Sequence, residues 1–340
     1  MTIRISDIAK AANVSPATVA RVVNNNGYVS EEKRQQVNKV IDELGYVPNK
    51  IASGLRTSKP IFIGHVLQVS PENPFFARIC NAVNETAEKA GYHVLTALRQ
   101  PDTSKERAAI ENLIGLMVDA IVFTGNTASD AATINWIQSR GIPVVMVERP
   151  RYGSQVDAVL LDSFQGAGMA MEHIIAKGHK DIGFLGLKYE KHEVEYQRYH
   201  GFCSAMEAHG LKVRDDWVRY APDYTVEYGR RAMEEMLTNK KLPTALFVTS
   251  DVIACGALQA LYEKGLHVPD DISIVGFDNT LSSLCTPQLT SIEMQLEQAG
   301  ATAVEMIMER KKGSRVGVKT VMLSPILVDR GSVKQMSSNS

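Results

Sequence analysis

Apolar positions in the first 45 residues recur at helical spacing in three short blocks. Ile8, Ala9 and Ala12 put one stripe on a segment from Asp7 to about Ala12, with Ser6 placed to cap it. Val19, Val22 and Val23 face inward on a second segment, from Pro16 to about Asn24. Ser15-Pro16 is a strong start signal, because Ser accepts from an orphan N–H and Pro at the first helical position loses none. Between the two, Asn13 tolerates the left-handed conformation of a tight turn and Val14 offers an apolar plug. Ser30-Glu31-Glu32 opens a third helix with acids at its positive end. Val37, Val40, Ile41 and Leu44 line it, and Gly45 closes it.

Two short helices joined by a tight turn and supported by a third make a helix-turn-helix. The second helix would expose Pro16, Ala17, Thr18, Ala20 and Arg21. Arg21 has the fork to bond a guanine edge, and Ala17 the size to touch a thymine methyl. The same pattern also fits a plain three-helix bundle with a solvated face. Pro48 then breaks the third helix, and Asn49 caps a short segment from Lys50 to about Arg56. Seven residues are too few for a helix to stand alone in water, and Gly54 weakens it by roughly 0.5–1 kcal/mol. By itself this stretch reads as a linker.

Beyond Pro60 short apolar runs alternate with amphipathic segments. The runs lie at 61–67, 92–98, 119–124, 143–147, 158–161, 182–187, 245–248 and 272–277. The segments lie near 75–90, 104–116, 130–140, 165–177, 193–209, 225–237 and 251–264. This alternation predicts an α/β fold with parallel sheets and helices on both faces, and its length favours two subdomains over one. Ligands in such sheets bind beyond the carboxyl ends of strands, so polar residues there are candidates.

Charge sharpens the division. Residues 1–60 carry nine Lys/Arg against five acids, while the whole chain has a net charge of −1. A small basic head on an acidic body suits a polyanion-binding module joined to something else. No stretch reaches the ~18 apolar residues of a membrane span, and the N-terminus lacks an apolar core behind a basic start, so a cytoplasmic protein is expected. Cys80, Cys203, Cys255 and Cys285 are scattered without a C-x-x-C pair, which argues against a zinc site or disulfide framework. The eight histidines lack ligand spacing. Gly166-Ala167-Gly168 invites a dinucleotide reading, but Met171 stands where a third glycine or alanine belongs, and helix packing explains the glycines. No G-x-S-x-G, H-E-x-x-H or Walker lysine occurs. No enzyme, cofactor or metal is expected.

The run ISDIAKAANVSPATVARVVN at residues 5–24, with Gly27-Tyr28-Val29-Ser30 and Leu44-Gly45-Tyr46-Val47-Pro48-Asn49, closely resembles the headpiece of the lactose-repressor family. The resemblance implies sequence-specific binding to double-stranded, pseudo-palindromic operator DNA through Ser15, Pro16, Ala17, Thr18, Arg21, Asn24 and Tyr28. It also implies a hinge that folds on DNA, with a leucine from each subunit wedged into the minor groove. Ala52 and Leu55 match those hinge positions, while Ser53-Gly54 depart from the usual pattern.

The rest of the chain is similar to the effector domain of that family, a two-lobed fold like that of periplasmic sugar-binding proteins. Asn73-Pro74-Phe75-Phe76, Gly178-His179, Arg198 with Gly201-Phe202, Ser250-Asp251, residues 269–278 and residues 286–290 carry the likeness. In that fold the chain crosses between lobes three times, here near Leu161, Thr290 and Val321. The matching arginine, Arg198, forks onto ligand oxygens; read alone, it is also an ordinary surface arginine. Asp278 would accept from a ligand hydroxyl, or else cap a turn, and Tyr224 would stack on the effector. Of Phe75 and Phe76, one is expected in the core and the other on the pocket wall, with Phe75 taken as the wall. Glu148 ends a strand and could accept from a hydroxyl. Asp251 more often caps the next helix, and His192 is a loop residue with a weaker claim.

These readings give a headpiece at 1–47, a hinge at 48–60, a two-lobed effector and dimerisation domain at 61–331, and a disordered tail at 332–340. The tail has no heptad repeat, so a homodimer is expected. The expected function is a ligand-responsive repressor of carbohydrate or sugar-acid genes, with a regulator co-repressed by a purine or nucleoside as the alternative.

Overall fold

The computed structural model describes residues 3–47, 62–67, 73–99, 102–125, 131–148, 155–188, 193–314 and 317–336. The chain divides into two compact units, residues 1–60 and 61–340.

The first unit holds α1 (Ile5–Ala11), α2 (Pro16–Val23) and α3 (Glu31–Leu44). α1 begins earlier than expected because the Asp7 carboxylate accepts the Arg4 N–H at 2.8 Å, making Arg4 the boundary residue instead of Ser6. Ser15 Oγ accepts from the Thr18 N–H at 3.1 Å, as its place before Pro16 predicts. Asn13 turns at φ 48° and Gly45 at φ 62°. Ile8, Ala12, Val19 and Val37 are wholly buried between the helices. Leu44 is exposed, contrary to its place in the stripe. Tyr46, folded back by its N–H to Ile41 O at 3.0 Å, packs against the core instead.

The second unit opens with β1 (Phe62–Leu67), α4 (Phe75–Lys89), β2 (His93–Leu98), α5 (Thr103–Gly115) and β3 (Ala120–Thr124). α6 (Ala131–Gln138), β4 (Val144–Val147), β5 (Asp157–Leu161), α7 (Ser163–Ala176), β6 (Ile182–Leu187) and α8 (Glu193–Ala208) follow. Next come β7 (Val218–Ala221), α9 (Val226–Leu237), β8 (Ala245–Val248), α10 (Asp251–Glu263) and β9 (Ser273–Asp278). β10 (Thr290–Glu293), α11 (Leu296–Lys311), β11 (Thr320–Leu323) and β12 (Ile326–Val328) end it.

The strands form two six-stranded sheets, ordered β11-β5-β4-β3-β1-β2 and β12-β10-β9-β8-β6-β7. Only β10 with β12 pairs antiparallel among these neighbours. Each sheet is the centre of a lobe, and the chain passes between them after β5, after β10 and after β11. These are the crossings expected near Leu161, Thr290 and Val321. α11 returns to the first lobe and lies close on α4: a Cβ on Gly300 would stand 2.6 Å from Ile79 O. Gly166 is likewise a packing glycine, since its Cβ would stand 2.8 Å from the Phe277 ring.

The tail expected to be disordered from 332 has its described part, residues 332–336, held in place. Ser332 and Val333 are buried. Ser332 Oγ accepts from Thr290 N at 2.8 Å and donates to Ile274 O at 2.5 Å, and Met336 N donates to Lys177 O at 2.8 Å. The segment supplies partners to backbone groups that β9 and β10 would otherwise bury unpaired. No helix among the described residues is long and apolar enough to cross a membrane.

Candidate effector site and DNA-reading face

In the second lobe, three strand ends converge on one guanidinium. β6 ends at Leu187, whose N–H donates to Glu195 Oε2 at 3.1 Å. Gly186 makes room for that carboxylate, because a Cβ there would lie 2.5 Å from Thr249 Oγ1 and 2.9 Å from Glu195 Oε2. β8 runs into Thr249, whose hydroxyl donates to Glu195 Oε2 at 2.9 Å. β9 ends at Asp278, held at φ 83°.

Arg198 stands one turn after Glu195 on α8 and is 3% exposed. Its Nη1 donates to Thr249 O at 2.6 Å and to Glu195 Oε1 at 3.4 Å, and its Nη2 to Asp278 Oδ1 at 2.9 Å. Its Cζ lies 4.1 Å from the centre of the Phe277 ring. Its Nε, also buried, has no hydrogen-bond partner among the described residues. An orphan donor beside committed ones is where an incoming acceptor gains most. Tyr224 OH completes the cluster by donating to Glu195 Oε1 at 2.6 Å.

Burial governs the charges here. It pushes the Asp278 carboxyl up to about 7, against the pull of Arg198 and with Asp251, Glu148 and Glu195 adding to the rise. Burial, and then Glu195, hold the Tyr224 phenol well above its ordinary value. Burial opposes the charge on Arg198, but Asp278, Tyr224, Glu195 and Glu148 outweigh it and keep the guanidinium protonated. Glu148 belongs to the other lobe, at the end of β4, with φ 83° and its N–H on Val159 O at 2.8 Å. Its field reaches both Arg198 and Asp278, so the two lobes face each other across this point.

Arg198, Tyr224 and Asp278 therefore come together, with Glu148 opposite. Phe75 does not join them as the pocket wall. It is buried in the core with Ile79 and Val83, and Phe76, edge-on to it at 5.1 Å, is the half-buried member of the pair. The helix stripe decides this: Phe75, Ile79 and Val83 lie four residues apart on one face. Asp251 is a positioning residue. Its carboxylate accepts from Ser291 Oγ at 2.7 Å and from the N–H groups of Leu281 and Ser282 at 3.1 and 3.0 Å, fastening the segment after β9. His192 lies outside the described residues.

Glu195 and Thr249 were missed by the sequence reading. One lies in the first turn of α8 and the other just past a strand. Only the spacing of Glu195 from Arg198, one helical turn, signalled a pair.

In the headpiece, Ser15, Pro16, Ala17, Arg21, Asn24 and Tyr28 are exposed and Thr18 is half-buried, its hydroxyl 2.9 Å from that of Ser15. These side chains lie at the start of α2, along its open face and just beyond it. Ala52 and Leu55 lie outside the described residues.

A family model for bacterial regulatory proteins of the lacI family matches residues 4–49, and one for the periplasmic binding protein-like domain matches residues 171–333. The chain is 35% identical over 337 residues to the HTH-type transcriptional repressor PurR of Actinobacillus pleuropneumoniae serotype 3 (strain JL03), covering 98% of this chain and 99% of that protein. It is 32% identical over 336 residues to catabolite control protein A of Priestia megaterium, covering 98% and 100%. Its fold is similar to a lac repressor dimer bound to operator and the anti-inducer ONPF, with TM-score 0.82, 26% identity, and coverage of 98% and 100%. The chain belongs to the lacI family of bacterial regulatory proteins, and it is a DNA-binding transcriptional regulator.

Proposed function

We propose that the protein is a dimeric, cytoplasmic repressor whose hold on operator DNA is set by a small hydroxylated effector, a sugar or sugar acid, bound between the lobes. The observation that carries this reading is the buried Arg198–Asp278 pair with the unpartnered Arg198 Nε, at strand ends facing Glu148. A ligand oxygen would accept from Arg198 Nε, and a ligand hydroxyl would donate to Asp278 or Glu148. Tyr224, with Phe76 in place of Phe75, would cover the apolar face. The ligand's differential affinity for two lobe arrangements is then the coupling energy that respaces two headpieces. Ser15, Pro16, Ala17, Thr18, Arg21, Asn24 and Tyr28 would face the major groove and its phosphates, and Ala52 and Leu55 the minor groove.

A second reading has a purine base or nucleoside as co-repressor. The recurrence of the name PurR among relatives 32–35% identical to this chain favours it. One screen separates the two: thermal unfolding of the full chain with sugars, sugar acids, purine bases and nucleosides, followed by gel shift on operator with any ligand that stabilises. A sugar that raises Tm and alters operator binding supports the first reading, and a purine that does so supports the second. A ligand that binds Asp278→Asn as tightly as the parent sinks the site assignment.

A further inference from the structure

Cys255 and Cys285 are 30 positions apart, with no motif between them, yet the fold brings their thiols together. Cys255 lies on the second turn of α10, and Cys285 in the segment between β9 and β10. Their Sγ atoms are 2.9 Å apart, and Cys285 Sγ also lies 3.5 Å from Leu281 O. Both are half-buried and both line an open surface pocket with Leu258, Tyr262, Leu281 and Leu284. A small oxidant therefore has access, and the thiols need close by less than an ångström to reach the ~2.0 Å of a disulfide. The other two cysteines, Cys80 and Cys203, have no such neighbour among the described residues.

We propose that Cys255 and Cys285 form an oxidisable thiol pair, a modification site at which hydroperoxide converts two thiols into one disulfide. One thiol is poised to start the reaction. The hydrogen bond between the two sulfurs, in which either can donate, holds the Cys285 thiol below its usual value and Cys255 above. The Cys285 thiolate attacks hydrogen peroxide, the O–O bond breaks, and Cys285 becomes a sulfenic acid while the departing hydroxide takes up the proton that Cys285 released and leaves as water. Cys255 then loses its proton and attacks that sulfur. The S–S bond forms, the S–O bond breaks, and a second water leaves. Two electrons pass from the thiols to the peroxide, so the balance closes without another reactant.

The position of the pair gives the disulfide something to act on. Cys285 stands one turn beyond Leu281, and Cys255 one turn beyond Asp251, whose carboxylate holds the Leu281 and Ser282 amides. The same segment begins at Asp278 and Asn279. A covalent link would pin the whole segment to α10, where hydrogen bonds and apolar packing now hold it.

Reduced full-length protein is treated with hydrogen peroxide, then digested without reductant and examined by mass spectrometry. The expected product is a peptide pair joined through Cys255 and Cys285, lighter by two hydrogens, from an unshifted monomer band. A Cys80→Ser/Cys203→Ser variant should give the same product. Cys255→Ser should lose it and retain a sulfenic acid trapped on Cys285 by a dimedone probe. Amide exchange at residues 279–285 should slow by at least severalfold in the oxidised parent. Over-oxidation of Cys285 without a link, a link through Cys80 or Cys203, or a link between two copies of the chain would each overturn the proposal. The parent protein alone decides this, whatever the stability of the variants.

Discussion

Arg78 on the first lobe donates from Nη2 to Glu293 Oε2 at 3.1 Å, at the end of β10 in the second lobe. Its Nη1 donates to Asn279 O at 3.1 Å, one residue past Asp278, and its Nε and Nη2 fork onto Glu297 at 2.6 and 2.7 Å. Asn279 Nδ2 also donates to Glu293 Oε2 at 2.9 Å. One guanidinium thus ties the first lobe to the segment that presents the candidate effector carboxylate. Burial opposes its charge, and Glu297 and Glu293 more than restore it. The side chain is 26% exposed, so solvent screening trims these bonds. Arg78→Ala should loosen the clasp, raising amide exchange across residues 279–282 and β10 by roughly tenfold, as loss of about 1.4 kcal/mol implies. Unchanged exchange there would remove Arg78 from this role.

Arg198→Ala should do more than abolish the effector response. Glu195 and Asp278 would be left buried without their cation, a loss of about 3–5 kcal/mol. Urea unfolding should therefore show a large drop in midpoint, and ligand loss in this variant alone would not prove contact. Asp278→Asn is the cleaner change, because it keeps an acceptor on Arg198 Nη2. It also carries a pH signature. The Asp278 carboxyl sits at about 7 in the fold, above the ~4 of an unfolded aspartate. The folded state binds the extra proton between those values, so this stabilisation is full below pH 4 and lost as pH rises through 7. Parent minus Asp278→Asn, followed by urea unfolding from pH 5 to 8, should show that loss. A flat difference would mean the carboxylate is ionised in the fold.

Much of this was legible along the chain because strand runs and helix stripes here carry strong periodicity. Ile182–Leu187 and Ala245–Val248 are wholly buried parallel strands and read as continuous apolar runs. β7 was not anticipated, since Val-Arg-Tyr-Ala at an edge is half-buried and shows no such run. α11 was missed for a different reason. It begins at Gln295 in a left-handed conformation with no side-chain cap. Its buried set runs through Leu296, Ala299, Gly300, Ala303, Val304 and Ile307, where small residues replace a strong stripe so that α4 can approach. At the site, Arg198 and Asp278 were named through family likeness. Glu195 and Thr249 become visible only when β6 and β8 are laid side by side.

His65 gives the first lobe an acid-sensitive point. It is wholly buried on β1, with Nε2 2.8 Å from Thr124 Oγ1 and no hydrogen-bond partner for Nδ1 among the described residues. Burial lowers its pKa from 6.5 to about 4. A depressed histidine stabilises the fold above its unfolded value and loses that contribution as pH falls from 6.5 towards 4, roughly 3 kcal/mol in all. Asp278 pushes the opposite way over the whole of this range, so only variants separate the two. His65→Gln, which keeps a polar atom near Thr124, should flatten the stability loss of the parent between pH 6.5 and 4. Calorimetric Tm measured against pH for both proteins checks it; parallel curves would show that His65 does not titrate in this window.

Arg21 lies on the open face of α2, and its aliphatic stem rests near Gly27. A Cβ at Gly27 would lie 3.4 Å from Arg21 Cδ, and Gly27 itself has φ +74°. Two separable effects follow. Arg21→Ala removes a five-donor fork and should cost ~1–3 kcal/mol on a matched operator, relaxing discrimination at one base position per half-site. Gly27→Ala keeps the fork but places a side chain in a left-handed conformation, at roughly 1–2 kcal/mol, and crowds the stem of Arg21. It should lower headpiece stability, and it should weaken operator binding less than Arg21→Ala does. Titration of parent and variants against the operator and single-base substitutions distinguishes them. Arg21→Ala should flatten the preference at one position, while Gly27→Ala should weaken every duplex alike. Equal weakening on all sequences by Arg21→Ala would mean that its guanidinium holds phosphate and reads no base.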